Sequence, residues 1–191
     1  MVLLSWTMGS LKNQILISMP HMTDPFFSKS VIYICEHNIK GAMGMIINKQ
    51  FNEPELNAIM EKAFIKDDSL KPLRNDIYFG GPVLLEKGIV LHHGSYMAED
   101  SIAISKSIAI ASKQGVLDEL KKKEDVPFKI MLGHAGWSSG QLEREIENGD
   151  WLMQSATADF IFNVTTNQMW EQATESLGLD LGSSFGMTGQ A

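Results

Sequence analysis

Between Gln14 and Leu132 the chain repeats one pattern: short apolar runs rich in Ile, Val and Leu, bounded by turn residues and too short for helices. Gln14–Met19 (QILISM) stops at Pro20, and Ser30–His37 (SVIYICEH) and Ala42–Asn48 (AMGMIIN) lie either side of Asn38 and Gly41. The latter two read as a hairpin with a four-residue loop. Ile77–Phe79, Gly88–His92 and Phe128–Leu132 are further strands, and Ile102, Ile104, Ile108 and Ile110 alternate as a strand pair or one broken strand. The runs around Ile15, Ile32, Ile46, Val90, Ile108 and Ile130 are expected in one sheet system. Strands that come in runs, without regular alternation with helices, define an α+β fold with a mixed or antiparallel sheet.

Elsewhere the period changes to that of a helix. Leu56, Ile59, Met60, Ala63 and Phe64 fall on one face, with Asn52 as N-cap and Pro54 in the first turn. Ser112 is placed to cap a helix with Val116, Leu117 and Leu120 inside and Lys121–Lys123 at its end, a solvated terminus that suits the helix dipole. A helix from Gln141 to about Asn148 turns Leu142 and Ile146 inward and stops at Gly149. Trp151–Met153 reads as a last strand and Asp159–Asn163 as a short apolar turn. Thr165-x-x-Gln168 is a capping box for a final helix with Met169, Trp170, Ala173 and Leu177 inside and Gly178 as its stop.

The 191 residues fit a single domain over 1–191, with 1–10 as an extension and 180–191 as a flexible tail. No apolar run approaches the length of a membrane span, and the N-terminus lacks the basic start of a secretory signal. A cytoplasmic protein with no membrane contact is therefore expected. The net charge of −7 argues against a protein that coats nucleic acid or anionic lipid. Cys35 is the single cysteine, so no disulfide forms within the chain.

Gly136-Trp137-Ser138-Ser139-Gly140 matches G-x-S-x-G between a strand and a helix, the setting of a nucleophile elbow. No histidine follows Ser138, and Ser138-x-x-Gln141 is also a capping box, so capping is the favoured reading. Cys35 and His37, two apart on a strand, would share a face with Tyr33 as a thiol–imidazole pair, yet the i, i+2 spacing is long for a hydrogen bond. Cys35 reads as buried packing. His92-His93 would point to opposite faces, against a shared metal. Asp24-Pro25 is a turn initiator with Phe26 and Phe27 behind it. Gly41-Ala42-Met43-Gly44 and Gly80-Gly81-Pro82 match no dinucleotide or phosphate loop, so no cofactor is implied; they are tight turns or places where a ligand approaches the backbone.

Four segments together, Leu16–Lys49, Phe79–His93, Ser107–Ser112 and Gly133–Leu152, carry M-x-D-P-x-F, C-E-H-N-x-x-G-A-M-G, G-G-P-V and G-W-S-x-x-Q-L-E. In this combination the chain resembles the bacterial YqgE/AlgH family. The resemblance implies an α+β fold, its mixed sheet bent into a partial barrel with peripheral helices packed outside, and a soluble cytoplasmic protein. It supplies no reaction, although some members carry the label of transcriptional regulator. The doubled His92-His93 and the ending Gly189-Gln190-Ala191 depart from the family pattern.

The motif residues Asp24, His37, Asn38, Gly41, Gly80, Gly81, His134, Trp137, Ser138 and Gln141 fall at turns and strand ends, where binding residues concentrate. They point to a non-enzymatic binding or regulatory protein holding a small molecule or protein partner. The turn Gly133–Gly140 would form one wall of a cleft beside Trp137, opposite the Asp24 loop or the Gly80-Gly81-Pro82 turn. The competing reading makes Trp137 a core anchor. A Ser138- or Cys35-dependent hydrolase or transferase is the alternative function, and a regulator acting on DNA or through a protein the third.

Overall fold

The structure is a computed structural model, and it describes residues 9–63, 73–123 and 125–179. Among these residues nine strands form one sheet: β1 (Gln14–Ser18), β2 (Val31–Asn38), β3 (Gly41–Ile46), β4 (Ile77–Phe79), β5 (Val83–His93), β6 (Ile102–Ala103), β7 (Ile108–Ser112), β8 (Phe128–Ser138) and β9 (Trp151–Ser155). All six expected runs are strands. The order is β6-β7-β5-β8-β3-β2-β1-β9, antiparallel throughout, and β4 adds a parallel pair with β8. The sheet curls into a half-barrel with, among the described residues, five helices: α1 (Glu53–Ala63), α2 (Lys113–Leu120), α3 (Gln141–Glu147), α4 (Ala158–Asn163) and α5 (Met169–Ser176). The α+β fold with a mixed sheet is thus the observed one.

Three apolar clusters hold these layers together. Ile15, Tyr33, Met45, Leu91, Ile108 and Met131 come from strands across the whole sheet and pack on α4 and α5 through Ile161, Met169, Trp170 and Ala173. Strands so far apart in the order share one cluster only if the sheet curls around it. On the other face, Ile77, Val90 and Ile130 meet Leu56 of α1 and Val116, Leu117 and Leu120 of α2. Beside them Leu16, Ile32, Ile34 and Ile46 meet Leu142 of α3.

Strand β8 joins the two outer clusters. Its first half pairs with β5 and β4, and its end, Ala135–Ser138, pairs with β3. The segment Gly133–Ser138, expected to be a turn, continues the strand, bent at Gly133 with φ +72°. The sequence obscures this because two glycines and a serine mimic turn composition.

Several local expectations change for physical reasons. The β2–β3 hairpin closes on Asn38↔Gly41, leaving only Ile39 and Lys40 in the loop, and Asn38 Oδ1 accepts the Lys40 N–H at 2.8 Å. Asp159–Asn163 belongs to α4, which Thr157 caps by accepting the Phe160 N–H at 3.1 Å. On α5 the buried fourth residue is Thr174, and Leu177 is exposed. Ser112 precedes α2 without capping it, its hydroxyl donating to Asp100 instead. Asn52 does cap α1, accepting the Glu55 N–H at 2.9 Å while Glu55 accepts the Asn52 N–H at 3.2 Å. The positions 64–72 and 180–191, which hold Phe64 and the expected tail, lie outside the described residues, as does the extension up to residue 8.

Candidate functional site

The motif residues divide into two groups. The first lies where the end of β8 meets α3. Trp137 and Trp151 stand edge to face, centroids 6.2 Å apart, and are 7% and 3% exposed. Both indole N–H groups donate to Glu145 Oε2, at 2.8 and 2.9 Å, and Gln141 Nε2 donates to Oε1 at 2.9 Å. One carboxylate therefore satisfies two buried donors from two strands. Gln141 Oε1 in turn accepts the Ser138 N–H at 3.0 Å and the Ser138 hydroxyl at 3.2 Å. The expected capping by Ser138 is corrected here. Gly140 is the N-cap, and the Ser138 hydroxyl donates to a side chain rather than accepting a backbone N–H. Among the described residues no histidine bonds to it.

A β-bulge between Ile34 and Glu36 changes the second expectation. One extra residue in β2 reverses the alternation beyond it. Cys35 stays with Tyr33 in the cluster under α4 and α5, whereas His37 pairs with Ala42 and reaches Glu143 of α3. The two side chains do not share a face, so no thiol–imidazole pair forms. His37 Nδ1 accepts the Leu11 N–H at 3.0 Å, which leaves the proton on Nε2 to donate to Glu143 Oε1 at 2.9 Å. Burial works to raise the Glu143 carboxyl, but its own backbone N–H, His37 and Arg144 outweigh it and hold it below its usual range. His37 thus clips the segment before β1 to α3.

Burial pushes the Cys35 thiol up to about 12, with Lys12 acting against it. At neutral pH it is a thiol, and the thiolate is the nucleophile. Labelling of the native chain by an aromatic disulfide reagent is expected to be slow and to accelerate steeply with urea, as opening exposes the strand. Labelling within seconds in the absence of urea would refute the burial.

The remaining motif residues are satisfied locally or lie against backbone. Asn38 Nδ2 donates to Glu36 Oε1 at 2.9 Å, and Gly41 abuts the Trp137 carbonyl. Asn38, Gly41 and the Trp137 edge border a hollow of only about 200 Å³. Gly80 and Gly81 lie against the backbone of Gly133 and His134. Burial lowers the His134 imidazole from its ordinary pKa. As expected, His92 is buried and His93 is not, and His92 Nε2 sits 3.1 Å from Ser101 Oγ.

The cleft opens elsewhere. Asp24 Oδ1 accepts the N–H groups of Phe26 and Phe27, at 2.8 and 3.1 Å, and so fixes the loop that presents Pro25 and Phe26. Phe26 stacks on Phe79 at 5.7 Å, and Phe51 meets Phe79 edge-on at 5.6 Å. With Lys49, Ile59 and Leu85 these rings line a cleft of about 370 Å³. The Gly80-Gly81-Pro82 turn leads into its other rim. There β5 loops out between Val83↔His134 and Gly88↔Leu132, with Leu84 at φ +52°. Phe26, Val83 and Leu84 are 45%, 40% and 44% exposed. Asp24, Gly80 and Gly81 therefore support a cleft that Trp137 does not enter. Sequence reading missed Phe51, Phe79, Lys49 and Leu85, because isolated apolar residues at strand ends give no periodic signal.

A curled, mostly antiparallel sheet with α3 locked by Glu145 defines an α+β half-barrel class. Residues 15–182 match the AlgH-like family, and the chain belongs to that family. It is 38% identical over 186 residues to a UPF0301 protein of Shewanella loihica, covering 96% of this chain and 100% of the relative. A UPF0301 protein of Pseudoalteromonas translucida is 39% identical over 176 residues, covering 91% and 95%. The solution structure of the AlgH protein from Pseudomonas aeruginosa matches with TM-score 0.70 and 35% identity over 100% of both chains. A Corynebacterium diphtheriae crystal structure matches with TM-score 0.69 and 21% identity, covering 92% of this chain and 90% of that one, a likeness of fold alone. No helix among the described residues is long and apolar enough to cross a membrane.

Proposed function

We propose that this chain is a cytoplasmic binding protein, without chemistry of its own, that recognises an apolar, acid-flanked segment of a protein partner in the Phe26–Phe51–Phe79 cleft. The observation that carries this is the continuation of apolar surface beyond the cleft, through exposed Val83 and Leu84. An enclosed site for a small molecule has no use for that rim, whereas a protein partner covers it. Lys49 supplies the polar anchor. Its ammonium donates to the Phe26 carbonyl at 2.6 Å and, with two N–H donors left, is the cation of a cleft whose lining also holds the Glu55 carboxylate. Leu84 is held in a backbone region that branched and bulky residues avoid, a strain that persists where neighbours over-determine it and that clusters at binding sites. Regulation through such a partner fits a net charge of −7 better than direct contact with DNA.

A displayed-peptide selection against the full chain tests this reading. Enriched peptides are expected to carry an aromatic residue or leucine next to Asp or Glu. They should bind at least ten-fold more weakly to Phe26→Ser and Leu84→Ser, both exposed positions whose replacement leaves the fold intact. Peptides that bind wild type and both variants alike, or a selection with no enrichment, would overturn it.

A further inference from the structure

Lys129 is a buried cation without an anionic partner in contact. It is 5% exposed, and among the described residues its Nζ donates no hydrogen bond and makes no ion pair. Its Nζ lies over the Tyr78 ring, 4.1 Å from the centroid. Strand β4, parallel to β8, carries Tyr78 opposite Met131 and so brings its ring beside Lys129. Desolvating an ammonium is costly, and a ring face returns only part of what water supplied. Its Nζ keeps access to the hollow beside it, where an anion would stabilise the charged amine.

The space around Lys129 is large enough to hold that anion. A cavity of about 450 Å³ is lined by Lys129, Tyr78, Phe128, Val126 and Phe162, with Asp76 at one side. Lys121 and Lys123 complete its rim, so among the described residues three cations and one carboxylate line it. Lys121 is paired to Asp118 at 3.6 Å, and Lys123 lies over Tyr96 at 4.8 Å. Lys121 thus has a carboxylate partner, whereas Lys123 and Lys129 each rest on a ring, and of these two only Lys129 is buried. Between these charged groups Tyr78, Val126, Phe128 and Phe162 give it apolar walls, a surface on which an organic body can pack.

We propose that this cavity is a binding site for a small apolar carboxylate, whose acid group meets the Lys129 ammonium and whose body lies against Tyr78, Phe128 and Phe162. The site is separate from the Phe26–Phe51–Phe79 cleft and stands or falls independently of it. Burial holds the Lys129 amine down to about 8, with the Asp76 carboxylate acting against that shift. Asp76 is itself raised by burial, with Lys129 acting against it. A carboxylate bound at Nζ stabilises the charged amine and must move its midpoint up.

The experiment follows the Lys129 13Cε resonance through a pH titration of the full chain, assigned by its loss in Lys129→Met. Without additive the midpoint is expected near 8. Phenylacetate is expected to raise it by half a unit or more, saturably, and to raise the melting temperature of wild type and of Lys87→Met but not of Lys129→Met. Acetate and inorganic phosphate at equal concentration should act more weakly. A midpoint that phenylacetate leaves unmoved overturns the site. Equal effects of phenylacetate, acetate and phosphate overturn the apolar-body assignment. Removing an unpaired buried charge is commonly tolerated, so Lys129→Met should fold; if it does not, the wild-type midpoint shift with added phenylacetate still decides.

Discussion

Glu145→Ala is expected to destabilise the protein by about 3–5 kcal/mol, because it strands two buried indole N–H groups and the Gln141 amide at once. An unmade hydrogen bond of a buried donor costs the full desolvation of that donor, roughly 1–3 kcal/mol each. Trp137 and Trp151 cannot turn to water, being packed against each other and, for Trp151, against Phe27 at 5.9 Å. For a chain of 191 residues the loss corresponds to a melting temperature lower by on the order of 10 °C. Glu145→Gln should fall between, since its amide presents an acceptor to one side and a clashing donor to the other. Urea melts read by tryptophan fluorescence check this, with the slope unchanged. A midpoint for Glu145→Ala within error of wild type would show that the two indoles find other acceptors.

This network shows why the motif around Trp137 was legible as a motif and not as a structural lock. The spacing Gly136-Trp137-Ser138-x-x-Gln141 was visible, but its partners, Glu145 and Trp151, are related to it only through the fold. The strands were legible because most bury short continuous runs of Ile, Val or Leu bounded by turn residues, and the helix faces of α1 and α2 because Leu56, Val116, Leu117 and Leu120 repeat at helical spacing. The bulge at Cys35 was not legible. A single inserted residue leaves the sequence pattern of β2 unchanged while reversing the face of His37. Lys129 gave no signal either, since a lysine in Phe128–Leu132 reads as the solvent side of a strand until β4 covers it.

Gly133→Ala and Gly81→Ala are expected to cost about 3–5 kcal/mol each, the sum of a left-handed backbone penalty and a forced overlap. Gly133 has φ +72° and Gly81 φ +148°, and a Cβ on either would run into the backbone of the other strand, the Gly81 carbonyl oxygen in one case and His134 in the other. A Cβ on Gly80 would likewise meet the Gly133 carbonyl oxygen. These glycines let the segment entering β5 cross the bend of β8 at a distance no side chain permits. Gly136→Ala on the same strand is the internal control. Its Cβ would meet nothing within 4 Å, so the substitution should be neutral or stabilise by up to about 1 kcal/mol. The same three variants separate two roles for the Gly80-Gly81 turn, structural crossing and ligand contact. A crossing predicts that stability falls at Gly81 and Gly133 together and leaves Gly136 unaffected. Ligand contact at Gly81 would instead preserve the melt of Gly81→Ala and weaken only the binding of peptides selected on the wild-type cleft.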